Sequence, residues 1–345
     1  MEVSNIKVLE KGICSKPEDY VPTTHQKRML ETDEVFDNDC FVGVEMEVEG
    51  IDFFRVMDEC RRDYIEVLED GSLKYKGIEM RFRYPMKGTS ILSGLEEIGD
   101  ICSKFSDRVY LKGERGSTHL HFDVSSMTLP ELINFYCLSA LIEPYLYTQC
   151  TLTRESTVFC VPISKTRDLD YIITNLCKGY LEFGSDFYKY RGIGLNSIHQ
   201  RGSLEFRMFD TCVHPPKILH WINLLQRVRD VAFKINFSFF STCNKRDLEG
   251  LLHSFIGIPS KIDPRALKQM YDIARQISTT FMRLQPRVQE AQDEEENVGH
   301  VPVSHTSMIE DLVHSVSYTY AASPTGPTTA TFGEFLDDFE STEET

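Results

Sequence analysis

An α+β domain, with a curved and mostly antiparallel sheet and helices packed on its outer face, is the fold class that three features of this 345-residue sequence predict. Several apolar runs carry ionisable residues at every second position, the period of a strand with one apolar and one polar face. Helix-like segments are interspersed with these runs without strict strand–helix alternation. Asp70-Gly71, between two strand-like runs, is a hairpin turn signal and implies antiparallel pairing.

Taken in order, residues 1–40 show little periodicity and read as irregular structure or a short edge strand. Strands are expected at 41–49, near 64–68, at 77–84, near 108–111, at 117–124 and at 203–210. In the first, Glu45 and Glu47 share one face while Val44, Met46 and Val48 take the other. Glu79-Met-Arg81-Phe-Arg83 follows the same alternation. His119, His121 and Asp123 face away from Leu120 and Phe122, and Glu205 and Arg207 face away from Leu204, Phe206 and Met208. Helices fit 52–62, 91–105, 129–147, 217–235 and 264–284. Thr128 with Glu131 three residues on makes a capping box for the third, and Pro264 suits the first turn of the last.

The hydrophobic fraction of 41% and charged fraction of 26% are those of a globular protein with a sizeable core. No run approaches the ~18 apolar residues of a membrane span, and Met1-Glu2-Val3-Ser4 lacks the basic-then-apolar layout of a secretory signal, so a cytoplasmic location is expected. The ten cysteines include no Cys-x-x-Cys pair and read as buried reduced thiols. The net charge of −16 is unevenly spread. From Pro286 onward thirteen acids face the single Arg287, giving −12 and leaving −4 for the rest, which argues against a surface that coats nucleic acid. Three segments follow: residues 1–40, a catalytic domain over 41–284, and an acidic, largely disordered tail over 285–345. Within the tail, Phe332, Phe335, Leu336 and Phe339 fall on one helical face, as do Met308, Ile309, Leu312, Val313 and Val316; either stripe suits the groove of a protein partner or packing back on the domain.

The chemistry lies on the polar strand face. Two carboxylates on one face repel each other unless a cation lies nearby, so Glu45-x-Glu47 suits a divalent metal as well as a solvated surface. His119-x-His121-x-Asp123 offers three metal-competent groups, or a satisfied polar ladder. Glu205-x-Arg207 is explained equally by a cross-strand ion pair. Together, carboxylates, histidine and the guanidinium groups of Arg81, Arg83 and Arg207 are the parts that hold a nucleotide triphosphate through divalent metals. No P-loop or Rossmann glycine pattern is present.

These residues resemble the carboxylate–amine ligase superfamily with a glutamine synthetase-like fold, and within it the amidoligase family common in phages and bacteria. Gly43-Val-Glu-Met-Glu47 is similar to its opening strand, and Asp70-Gly-Ser-Leu73 with Gly77-Ile-Glu79 to its next element. Ser117-Thr-His-Leu-His-Phe-Asp123 looks like its His-x-His strand. Tyr190-Arg-Gly-Ile-Gly-Leu-Asn196 with Arg201-Gly-Ser-Leu-Glu-Phe-Arg207 resembles its closing segment. The resemblance spans roughly residues 41–240, with the motifs in family order.

It implies that Glu45, His119 and Glu205 hold the metal bridging the ATP phosphates. Glu47, with Asp70 and Glu79, would hold a second metal near the acceptor carboxylate. Arg207 would neutralise the transferring phosphoryl with Arg201 and Arg191 as helpers, so that Arg207, Arg201 and Asn196 of the closing segment are the expected catalytic residues and Arg207 and Arg191 contact the nucleotide; Arg81, from the strand alternation, is expected to contact it too. The implied cofactors are ATP and Mg2+, with Mn2+ as the alternative, and the substrates a small-molecule or peptide carboxylate and an amine. ATP would phosphorylate the carboxylate, and the amine would displace phosphate to form an amide or peptide bond. Two other readings compete. One is a metal-dependent hydrolase centred on His119, His121 and Asp123. The other is a non-catalytic adaptor or virion-associated protein that keeps the fold and acts through its tail.

Overall fold

A computed structural model describes residues 40–60, 62–73, 77–105, 115–181, 183, 190–235, 239–240 and 245–295. Six antiparallel strands form one sheet: β1 (Val42–Glu49), β2 (Ile65–Asp70), β3 (Gly77–Phe82), β4 (Ser117–Asp123), β5 (Ile193–Gly194) and β6 (Ser203–Asp210), in the order β2-β3-β1-β4-β6-β5. The helices are α1 (Phe53–Glu59), α2 (Thr89–Lys104), α3 (Leu129–Thr148), α4 (Leu152–Ser156), α5 (Leu169–Cys177), α6 (Asn196–Arg201), α7 (Pro215–Ala232), α8 (Lys245–Gly250) and α9 (Pro264–Glu295). The α+β class and the antiparallel pairing are therefore as expected.

The strands form where the alternation predicts them because one face is buried against helices. Val42, Val44, Met46 and Val48 of β1, Leu120 and Phe122 of β4, and Leu204, Phe206 and Met208 of β6 are all buried. Phe122, Phe206 and Phe135 of α3 form an aromatic cluster with ring centroids 5.8–6.3 Å apart, which joins α3 to the centre of the sheet. Phe209 stacks on Trp221 of α7 at 4.2 Å. Glu97 of α2 accepts the backbone N–H groups of Asp63, Tyr64 and Ile65 and ties that helix to the start of β2. α3 is buried around its whole circumference, which accounts for its nearly continuous apolar sequence. At its start the Glu131 carboxylate accepts the Thr128 N–H at 2.7 Å, as the capping box predicts.

The hairpin between β2 and β3 forms where the turn signal places it, with Asp70 paired to Gly77, and Asp70 Oδ1 accepts the Ser72 N–H at 2.8 Å. Several expectations need correction. α7 begins at Pro215 because proline suits the first helical turn, where its missing N–H costs nothing. The last helix continues to Glu295, through residues expected to belong to a disordered tail; its glutamines, glutamates and alanine are good helix formers. α4, α5, α6 and α8 were not expected, because segments of five to nine residues are too short to show a helical period. The expected strand near 108–111, the segment 1–39 and both apolar stripes of the tail lie outside the described residues. Among the described residues no helix is long and apolar enough to cross a membrane, and eight cysteines are free thiols.

Candidate functional site

β1, β4 and β6 lie side by side at the centre of the sheet, so their polar faces bring the sequence-distant motifs together. The register sets Glu45 opposite His119 on one side and Arg81 on the other, Gly43 opposite His121, and His121 opposite Glu205. Cross-strand neighbours on one face stand about 5 Å apart at Cβ, close enough for converging side chains.

The convergence is tight. Nε2 of His121 lies 3.5 Å from Glu45 Oε2 and 3.8 Å from Glu205 Oε1, and Nδ1 of His119 lies 3.7 Å from each of the same oxygens. Glu45, His121 and Glu205 offer ligand atoms all within 4.8 Å of one another, the one such group among the described residues. These contacts are too long for hydrogen bonds, and His121 Nε2 is buried with no hydrogen-bond partner. A buried imidazole nitrogen aimed between two carboxylates without bonding either is what a cation site requires of its ligands.

Electrostatics keep the two acids ionised. Burial alone would raise the Glu45 carboxyl, but the imidazoles of His119 and His121 that face it outweigh burial and hold the group far below the ordinary carboxylate range. Burial would likewise raise Glu205, and His121, Arg207 and His119 together pull it down. Arg207 Nη1 donates to Glu205 Oε1 at 2.5 Å, and Arg201 Nη1 donates to Glu45 Oε1 at 2.5 Å. Arg201 is the open side of the cluster: its side chain is 48% exposed, against 14% for Arg207.

Around this centre lie residues that the sequence did not single out. Ser117 donates its hydroxyl to Glu47 and shares a 2.7 Å bond with His119 Nε2. Ser203 Oγ lies 3.2 Å from His121 Nδ1, and Ser197, in the first turn of α6, donates to Glu205 Oε2 at 3.0 Å. A β-bulge sets Arg207 and Met208 of β6 together opposite His119, between the pairs Thr118–Phe209 and Leu120–Phe206. Arg154 of α4, itself buried, donates to the carbonyls of Arg207 and Met208 and fixes that irregular stretch. One signal for the bulge was in the sequence: Met208-Phe209 places two apolar residues in succession, and both are buried.

Other expected site residues are placed differently. His121 rather than His119 completes the converging triad, although His119 faces the same oxygens. Glu47 and Glu79 are cross-strand partners on the same face, one row from the triad, and do not join it. Burial pushes the Glu79 carboxyl up to about 7, with the charge of Glu45 adding, Arg81 opposing, and Glu47 and Asp70 adding again. Asp70 serves the hairpin turn. Arg81 is held by Glu66 at 2.8 Å beside Glu45, whereas Arg83 donates to the carbonyls of Arg62 and Ile65. Arg191 does not reach the cluster: it is buried and pairs with Asp168 at 2.6 Å. Asn196 begins α6 next to Ser197, with its Oδ1 buried and lacking a hydrogen-bond partner. Asp123 accepts the N–H and hydroxyl of Ser125 in its own turn, which removes it from a His119–His121–Asp123 centre.

No family model matches the chain, and no curated protein matches it.

Proposed function

We propose that the chain is an ATP-dependent carboxylate–amine ligase on a glutamine synthetase-like fold, forming an amide or peptide bond by way of an acyl phosphate. The observation that carries this reading is the set of Glu45, His121 and Glu205 around an unbonded imidazole nitrogen, bordered by two arginines whose partners are those same carboxylates. A structural ion-pair network would close these contacts to hydrogen-bond length; this one leaves a gap among four groups.

The residues present suit a divalent cation that carries a nucleotide triphosphate. Such an ion, when bound, neutralises phosphate oxygens and polarises the phosphorus for attack. Glu45 and Glu205 supply the negative charge that retains it. Arg207 presents a planar fork whose Nε is buried without a partner, directed by its bond to Glu205, and so has capacity for a phosphoryl oxygen. Arg201, whose side chain is 48% exposed at the rim, can turn from Glu45 toward an incoming anion. Ser197 fixes the second oxygen of Glu205, so the carboxylate keeps its orientation while its partners change.

The test is calorimetric binding of a non-hydrolysable ATP analogue to the full chain, with and without a divalent cation. Binding that requires the cation and disappears in Glu45→Gln, followed by release of phosphate with suitable carboxylate and amine pairs, is the expected result. Equal nucleotide binding in wild type and variant, or none under either condition, overturns the reading.

A further inference from the structure

An apolar patch stands beside the β5 end of the sheet, where Val161 bridges Arg191. Val158, Phe159 and Tyr190 are 69%, 36% and 37% exposed, and the rings of Phe159 and Tyr190 meet edge to face with centroids 6.1 Å apart. Single exposed apolar side chains are ordinary, whereas neighbouring ones on a fixed backbone mark an interaction surface. The backbone here is fixed. The Thr157 hydroxyl accepts the Phe159 N–H at 3.3 Å, and the Tyr147 hydroxyl donates to the Cys160 carbonyl. The Val161 N–H donates to the Tyr190 carbonyl at 2.7 Å, and the Gly192 N–H donates to the Val161 carbonyl at 3.0 Å. A surface already ordered loses little entropy when it is covered. Cations stand at its margin. Lys165 and Arg265 are both exposed and both pair with Glu155, at 3.7 and 2.8 Å, so one carboxylate meets two positive charges.

An apolar, cationic surface suits an acidic segment with aromatic residues, and this chain carries one. Residues 332–344 place Phe332, Phe335, Leu336 and Phe339 at the spacing of one helical face, among six acids and no Lys or Arg. The other stripe of the tail, over 308–316, has two acids and no Phe, Tyr or Trp. The chain is long enough to return. α9 runs about 48 Å from Pro264, next to Arg265 at the patch, to Glu295, and the 36 residues 296–331 can extend to about 120 Å. We propose that residues 332–344 of this chain dock on the patch of Val158, Phe159 and Tyr190, with their carboxylates toward Lys165 and Arg265. The inference goes beyond the ligase reading and does not depend on it. Docking there brings the tail beside the strand that carries Arg207, because Gly192, two residues after Tyr190, accepts the Arg207 N–H at 2.8 Å.

Hydrogen exchange of the full chain, followed by mass spectrometry, tests this, with a free peptide of residues 332–344 as the reference. In wild type the amides of 332–344 should exchange about tenfold more slowly than in the free peptide. Phe159→Ser on the patch, and Phe335→Ser with Phe339→Ser in the tail, should each abolish that protection while circular dichroism shows the fold retained. Lys165→Glu should reduce the protection roughly threefold, the scale of an exposed ion pair. Exchange of 332–344 at the free-peptide rate in wild type overturns the inference. Protection that survives in folded Phe159→Ser places the tail elsewhere and also overturns it. Protection that fades on dilution, together with a dimer mass by light scattering, assigns the patch to the tail of a second copy and overturns docking within one chain.

Discussion

Two clusters of buried charge occupy this domain, and they are built on opposite principles. On the polar face of the sheet, Glu45 and Glu205 are pushed below the ordinary carboxylate range and surround a gap. Around α3, Glu143 is pushed up to about 8 by burial, against the Ile163 N–H bond and the Arg191 charge, with Asp168 raising it further. There the carboxyl is kept neutral: its Oε2 accepts the Ile163 N–H at 2.6 Å, and the nearby guanidinium of Arg191 is consumed by Asp168. In the first, both carboxylates are bonded by arginines while the imidazole nitrogens stand off at 3.5–3.8 Å. In the second, Arg191 and Asp168 pair at 2.6 Å and Glu143 takes a backbone bond, with Glu143 Oε1 and Asp168 Oδ1 left without partners. Burial and ionisable residues alone therefore do not identify a site; the direction in which the acids are shifted and the stand-off of the imidazoles distinguish the two clusters.

The contrast is broken most directly by exchanging one oxygen for nitrogen in each cluster. Glu45→Gln or Glu205→Gln should weaken cation-dependent binding of the ATP analogue by 100-fold or more, about 3 kcal/mol, with the fold unchanged by circular dichroism; Glu143→Gln should leave that binding within about twofold. Loss of binding in Glu143→Gln would erase the distinction. The arginines provide the next comparison. Under the proposed reading, Arg207→Lys keeps the charge but loses the planar fork, so turnover should fall about 100-fold and nucleotide affinity less than tenfold. Arg191→Leu should instead cost about 3 kcal/mol in denaturant unfolding, because it leaves Asp168 buried and uncompensated.

A smaller effect sharpens the comparison through pH. An acid whose folded pKa is raised makes no demand on stability below the ordinary value of 4.5, where both states are protonated; stability then declines as pH rises to about 8, where the folded state ionises too. Glu143→Gln abolishes that decline. Chemical denaturation should find the variant equal to wild type near pH 4 and more stable than wild type near pH 8.5. The smallest expected effect is in Ser197→Ala, which removes one bond to Glu205 worth about 1 kcal/mol and should weaken cation binding roughly fivefold by calorimetry.

Most of the sheet was legible in the sequence, because strands buried on one face must alternate and the alternation names the face. The row of Glu45, His119, His121 and Glu205 could be assigned to one surface on that ground alone. What alternation cannot give is which strands become neighbours, nor where a side chain turns once there. Arg191 and Asp70 sit in motifs adjacent to residues of the cluster, yet one is drawn to Asp168 and the other to a hairpin turn. The serines were missed because a hydroxyl has no sequence period; Ser117, Ser197 and Ser203 matter only through the imidazole or carboxylate that folding brings to each. β5 was missed because two residues, Ile193-Gly194, are too few to alternate.

The register also sets glycine against the ends of the central row: Gly43 faces His121, and Gly194 faces Glu205. A Cβ on Gly43 would stand 3.2 Å from that of His121, and one on Gly194 would come within 2.9 Å of Glu205 Oε2. For anyone wishing to graft this centre onto another antiparallel scaffold, copying the ionisable residues is thus insufficient. The blueprint must include two empty positions on the flanking strands, since an alanine at Gly194 would move the outer carboxylate before any ion arrived.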